Sequence, residues 1–129
     1  MKILLVDDYR PFGQSLKVML TPEHDVTLVG TATDALAELE RTPFDAAFVD
    51  LRLPDLSGTE VCARVREAGI PLPHGLILMT GGGTDAALRA RLLQLDVKLI
   101  EKPFTEEQLY SLLPGGLSRA KELAGPQND

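Results

Sequence analysis

The sequence predicts a doubly wound α/β domain, a parallel sheet covered by helices on both faces. Three observations predict it. Short apolar runs recur along the 129 residues, at Ile3–Val6, Val26–Val29, Ala46–Val49, Leu76–Met79 and Val97–Ile100. Each run is continuous rather than alternating, which marks a strand buried on both faces. Segments with apolar residues at helical spacing separate the runs. A strand followed by a helix, repeated in this way, implies right-handed crossovers and one sheet.

The elements follow in order. Each apolar run is too short for a core helix and is bounded by turn or polar residues. Phe12, Leu16, Met19 and Leu20 mark the first helix, with Pro11 near its first turn, where proline is tolerated. Leu36 and Leu39 mark the second, opened by Thr33. Ser57-Gly58-Thr59-Glu60 has capping-box spacing and precedes Val61 and Val65 on one face of the third. Leu88, Leu92 and Leu95 mark the fourth. Thr105-Glu106-Glu107-Gln108 is a second capping-box pattern, followed by Leu109, Leu112 and Leu113, and Pro114-Gly115-Gly116 should end that helix. The expected domain covers residues 1–116. Residues 117–129 read as a helical extension or a tail, with Leu117, Ala120 and Leu123 at helical spacing. No internal repeat, low-complexity tract or second domain is visible.

Composition narrows the function. The hydrophobic fraction is 44%, the charged fraction 25% and the net charge −6. That is a soluble globular profile, and its acidity argues against direct DNA binding by this chain. Cys62 is the only cysteine, so no internal disulfide can form. It reads as a small packed residue rather than a reactive thiol. The start, MKILLVDD, lacks the apolar length and cleavage site of a signal peptide, and no apolar stretch approaches a membrane span. The expectation is a cytoplasmic protein.

The chemistry is expected where the strands end, because ligands of open α/β sheets bind at the carboxyl ends of strands. Asp7 and Asp8 follow the first strand, Asp50 the third and Thr80 the fourth, and Lys102-Pro103-Phe104 come after the fifth. Three carboxylates brought together repel one another and call for a compensating charge. A hard divalent cation supplies it, and Mg2+ favours one or two carboxylates plus phosphate oxygens. No Cys/His cluster offers a zinc alternative, since His24 and His74 stand alone. Lys102 can neutralise an incoming phosphate, and the Thr80 hydroxyl can donate to one of its oxygens. A carboxylate ionised at neutral pH can act as the nucleophile and become an aspartyl phosphate. Each residue also has a plainer reading: Asp50 as a turn former, Asp7-Asp8 as the opening of a helix, Lys102 as an exposed lysine. Gly81-Gly82-Gly83 lacks the Lys-Ser/Thr of a phosphate loop and reads as a flexible segment.

With Asp7-Asp8, the segment Asp50-Leu51-Arg52-Leu53-Pro54-Asp55-Leu56-Ser57-Gly58, Thr80 and Lys102-Pro103-Phe104 in this order, the chain resembles the receiver domains of two-component response regulators over about residues 2–113. The resemblance implies a flavodoxin-like fold with strand order 2-1-3-4-5. It implies that Asp50 is the phosphoacceptor and that Asp8, Asp50, the backbone carbonyl of Arg52 and, through water, Asp7 hold Mg2+. Thr80 and Lys102 would contact the phosphoryl group, and Pro54 and Gly58 would shape the loop. The phosphodonor would be a sensor histidine kinase or a histidine phosphotransfer protein, docking near Phe12, Pro103, Phe104 and Leu16, with the core as the other reading of Leu16. The chain would catalyse its own phosphorylation and dephosphorylation rather than act as an enzyme on other substrates. A downstream protein would read the change, from a monomer or a phosphorylation-dependent dimer. The alternatives are an interaction module that works without phosphorylation, and the amino-terminal receiver of a larger regulator or hybrid kinase. The chain departs from the family pattern at Leu99, where an aromatic residue is common, and at Leu95, where glycine is common. Arg52 and Gly82 occupy the positions that tune the lifetime of the aspartyl phosphate.

Overall fold

A computed structural model describes residues 1–113. The expected stop at Pro114-Gly115-Gly116 and the extension over 117–129 lie outside the described residues. The elements are β1 (Lys2–Val6), α1 (Arg10–Leu20), β2 (Asp25–Val29), α2 (Ala32–Arg41), β3 (Ala46–Asp50), α3 (Gly58–Ala68), β4 (Leu76–Thr80), α4 (Ala86–Leu95), β5 (Lys98–Glu101) and α5 (Glu106–Tyr110). The strands pair in parallel in the order β2-β1-β3-β4-β5. No helix among the described residues is long and apolar enough to cross a membrane.

Successive strand residues point to opposite faces, so each continuous apolar run feeds two cores. Ile3, Leu5, Phe48, Ile77, Met79 and Ile100 pack with Leu16 and Leu20 of α1 and Leu109 and Tyr110 of α5. Leu4, Val6, Ala47, Val49, Leu76 and Leu78 pack with α2, α3 and Leu92 of α4. Leu99 belongs to this second side, partly buried with Leu88, Leu95 and Val97. The three layers follow from this two-faced burial. Cys62 is fully buried there, and burial pushes its thiol up to about 12, so it is packing rather than chemistry.

Several boundaries differ from the sequence reading, each for a local reason. Thr31, not Thr33, caps α2: its hydroxyl accepts from the Asp34 amide at 3.1 Å. Ser57 caps α3 by accepting from the Glu60 amide at 3.2 Å, but the Glu60 carboxylate turns to Arg64, so only half of that capping box forms. The Thr105–Gln108 box forms in both directions. Helix α5 ends at Tyr110, and the amides of Leu112 and Leu113 bond back three residues instead of four, a tightening common at helix ends. Val97 belongs to the turn before β5, its amide donating to Leu92. At that turn the left-handed residue is Asp96, with φ 56°, rather than a glycine at position 95. Arg66 of α3 braces it by donating to the carbonyls of Leu95 and Asp96 at 2.8 and 2.7 Å.

Candidate functional site

The parity of the strands decides which side chains meet. Asp7 lies two residues beyond Leu5, Asp50 two beyond Phe48 and Lys102 two beyond Ile100, so all continue the α1–α5 side. The register sets Val6 beside Val49 and Asp50 beside Met79, which brings the strand ends level. The Lys102 amide donates to the Thr80 carbonyl at 2.7 Å, pinning the end of β5 to the end of β4. The Lys102–Pro103 peptide is cis.

Asp7 is 2% exposed, and its two oxygens are used separately. Oδ1 accepts from the Tyr9 amide at 2.9 Å, and Oδ2 accepts from the Lys102 ammonium at 2.7 Å. The same ammonium stands 3.3 Å from Asp50 Oδ1. An aromatic pair flanks it: Nζ lies 4.2 Å above the Phe12 ring, and Phe104 meets that ring edge-on at 5.6 Å. Asp8 is exposed beside them, and one oxygen each from Asp7, Asp8 and Asp50 fall within 4.8 Å of one another. Among the described residues this is the one group of three or more carboxylate, imidazole or thiol ligands so arranged. A purely oxygen donor set with surplus negative charge suits a hard divalent cation such as Mg2+.

Thr80 is 1% exposed, and its hydroxyl is held loosely. It accepts from the Gly82 amide at 3.3 Å and donates to the Gly83 carbonyl at 3.4 Å. The hydroxyl thus faces the loop after β4. Asp50, Leu51, Arg52, Thr80, Gly81, Gly82 and Lys102 line a common cavity of about 270 Å³. Arg52 extends over the loop: a Cβ built on Gly82 would stand 3.4 Å from Arg52 Nη2. Arg52 has no acidic partner among the described residues.

The carboxyl of Asp50 is held above its ordinary range, mainly by burial, with Asp7 and Asp8 adding to the rise and Lys102 opposing it. A carboxyl whose value is raised by folding binds its proton more tightly in the folded state. Its charge therefore opposes folding above that value, and the opposition fades as pH falls through it. Asp50→Asn removes this charge, so the metal-free variant is expected to melt a few degrees above the wild type at neutral pH. A melting temperature at or below that of the wild type would contradict the charge argument.

Most residues singled out from the sequence meet here: Asp7, Asp8, Asp50 and Lys102 converge, and Thr80 and Arg52 line the cavity. Of the two readings of Leu16 the core one holds: it is 1% exposed because α1 turns it toward the sheet. Two features escaped the sequence reading. Asp55 accepts hydrogen bonds from the Ala32 and Thr33 amides and the Thr33 hydroxyl, which hold its carboxyl far below the usual carboxylate range. Gly58 lies so close to β3 that an added Cβ would stand 2.4 Å from the Asp50 carbonyl oxygen.

The chain and its fold match known proteins. The family model described as the response regulator receiver domain matches residues 3–113. The chain belongs to this family. The receiver is 30% identical to the sensory transduction protein RegX3 of Mycolicibacterium smegmatis, over 93% of this chain and 52% of the relative. It is 30% identical to the transcriptional regulatory protein FixJ of Bradyrhizobium diazoefficiens, over 95% of this chain and 59% of the relative. The receiver spans about half the length of the curated relatives it matches. A CheY-like response regulator receiver domain protein from Methanospirillum hungatei superposes with a TM-score of 0.74 at 29% identity, covering 95% of this chain and 91% of that one. A CheY-like receiver from Methylobacillus flagellatus gives 0.71 at 26%, covering 87% and 94%. The flavodoxin-like architecture and strand order expected from the resemblance are thus those of the receiver.

Proposed function

We propose that Asp50 accepts a phosphoryl group from the phosphohistidine of a histidine kinase or phosphotransfer protein, in a reaction that requires Mg2+. The observation that carries this reading is the shared Lys102 ammonium. It lies 2.7 Å from Asp7 and 3.3 Å from Asp50, at the edge of a cavity that also holds Thr80. Asp7, Asp8, Asp50 and the Arg52 carbonyl would hold the ion. When bound, Mg2+ supplies positive charge to the phosphoryl oxygens and relieves repulsion among the carboxylates.

The rest is done by the chain's own groups. An Asp50 carboxylate oxygen attacks phosphorus, the phosphorus–nitrogen bond to the donor imidazole breaks, and the imidazole leaves with the electron pair and takes up a proton. Lys102, which neutralises Asp7 and Asp50 beforehand, follows the charge onto a phosphoryl oxygen. The Thr80 hydroxyl exchanges two long hydrogen bonds for one to another phosphoryl oxygen, drawing the Gly81–Gly83 loop with it. Phosphoryl transfer asks for little beyond such positioning and charge compensation. The altered surface then meets a downstream protein. Leu99, in place of an aromatic residue, leaves the shift of Thr80 and its loop as the signal.

The test is incubation with Mg2+ and a small phosphodonor such as phosphoramidate, followed by intact-mass analysis. The wild type gains one phosphoryl group, and the gain disappears with a chelator and in Asp50→Asn. An unmodified wild type, or an adduct that survives in Asp50→Asn, would overturn the assignment.

A further inference from the structure

The Asp55 carboxylate, in the loop between β3 and α3, serves a distant element. Oδ1 accepts from the Ala32 amide at 2.9 Å, and Oδ2 accepts from the Thr33 amide at 2.9 Å and the Thr33 hydroxyl at 2.7 Å. These groups open α2, which already has its own cap in Thr31. One capping side chain is what a helix start ordinarily has, so a second acceptor from another loop points to a role for that loop.

The loop is tied at both ends, by Gly58 donating to the Leu51 carbonyl at 2.7 Å and by a bridge between Arg52 and Ser57. Between them, Leu53 and Leu56 pack against the α2–α4 side of the core. Asp55 supplies the hydrogen bonds that fix residues 53–56 laterally, and among the described residues none other does. Pro54, its neighbour, forms one wall of a cavity of about 490 Å³ shared with Asp7, Asp8, Gly30 and Thr31. The clamp therefore fixes Pro54 in the lining of the cavity that Asp7 and Asp8 share.

We infer that Asp55 is a positioning residue for the cation site, anchoring to α2 the loop that carries the Arg52 carbonyl and Pro54. This rests on the reading of Asp7, Asp8 and Asp50 as a Mg2+ site. Without the clamp the loop samples more conformations, and cation binding must order it. Affinity for the ion falls, while the chemistry of the loaded protein stays as it was.

The experiment follows phosphoryl uptake from a small donor against Mg2+ concentration, with calorimetric titration of Mg2+ alone beside it. Asp55→Ala is expected to raise the half-saturating Mg2+ concentration about tenfold, with little change in the rate at saturation. Leu39→Val, a core change near the opposite end of α2 from the clamped amides, is expected to lower melting temperature and leave half-saturation unchanged. Asp55→Asn keeps one acceptor oxygen and falls between wild type and Asp55→Ala; it carries the comparison if the alanine variant does not fold. Equal half-saturation in wild type and the Asp55 variants overturns the inference, as does an equal rise in Leu39→Val. A wild type that shows no Mg2+ heat and no uptake overturns the metal reading instead, and the two failures are told apart by that control.

Discussion

Replacing Lys102 by Met is expected to lower the stability of the metal-free protein by about 3 kcal/mol, or roughly 10 °C in melting temperature. The Asp7 side chain is 1% exposed and that of Lys102 20% exposed. Removing the ammonium leaves two nearly dry carboxylates facing each other, with Asp8 beside them. An uncompensated buried charge costs far more than a surface ion pair contributes. Met keeps a long apolar side chain without the charge, so the loss reports the ammonium, its contact over the Phe12 ring included. In the proposed site Mg2+ would compensate the same carboxylates, so it is expected to narrow the gap between variant and wild type. Thermal unfolding in chelator and in excess Mg2+ checks both halves. A gap that Mg2+ leaves untouched would mean that Lys102 and the ion do not serve the same charges.

Gly58→Ala is expected to cost about 3 kcal/mol or more and to abolish phosphoryl uptake. The added methyl would stand 2.4 Å from the Asp50 carbonyl oxygen and 2.7 Å from Leu78 Cδ1. Leu78 is fully buried, and the carbonyl belongs to the backbone of β3, so neither yields easily. The start of α3 must move away from the strand. That move strains the bond from the Gly58 amide to Leu51 and displaces the loop that carries Arg52. Gly81 is the contrast: nothing lies within 4 Å of a Cβ built there, so Gly81→Ala is expected to leave stability within about 0.5 kcal/mol of wild type. Chemical denaturation of the pair checks the difference, and equal midpoints would contradict the steric account.

The strands are legible because burial on both faces leaves an unbroken apolar run, and the acidic cluster because Asp7, Asp8 and Asp50 stand where strands end. What local pattern could not supply was decided by distant partners. The sequence points to Thr33 as the cap of α2, but its hydroxyl is taken by Asp55 from another loop, and Thr31 caps the helix. Leu16 shares a helix face with Phe12, but the spacing alone does not say that one faces the sheet and the other the site. Lys102 reads from sequence as a cation awaiting phosphate, whereas the folded chain sets it between Asp7 and Asp50. The close approach of Gly58 to the Asp50 carbonyl is likewise a tertiary fact; the sequence marks Gly58 only as a residue that shapes the loop.

The central claim is that Asp50 carries the phosphoryl group, and trapping the bond on the phosphorylated protein tests it most directly. Borohydride reduces an aspartyl phosphate to homoserine, which peptide mass spectrometry locates. The account predicts homoserine at position 50 and nowhere else, formed only after exposure to both Mg2+ and phosphodonor. Homoserine at position 7 or 8, or phosphate recovered on a hydroxyl residue, would contradict it.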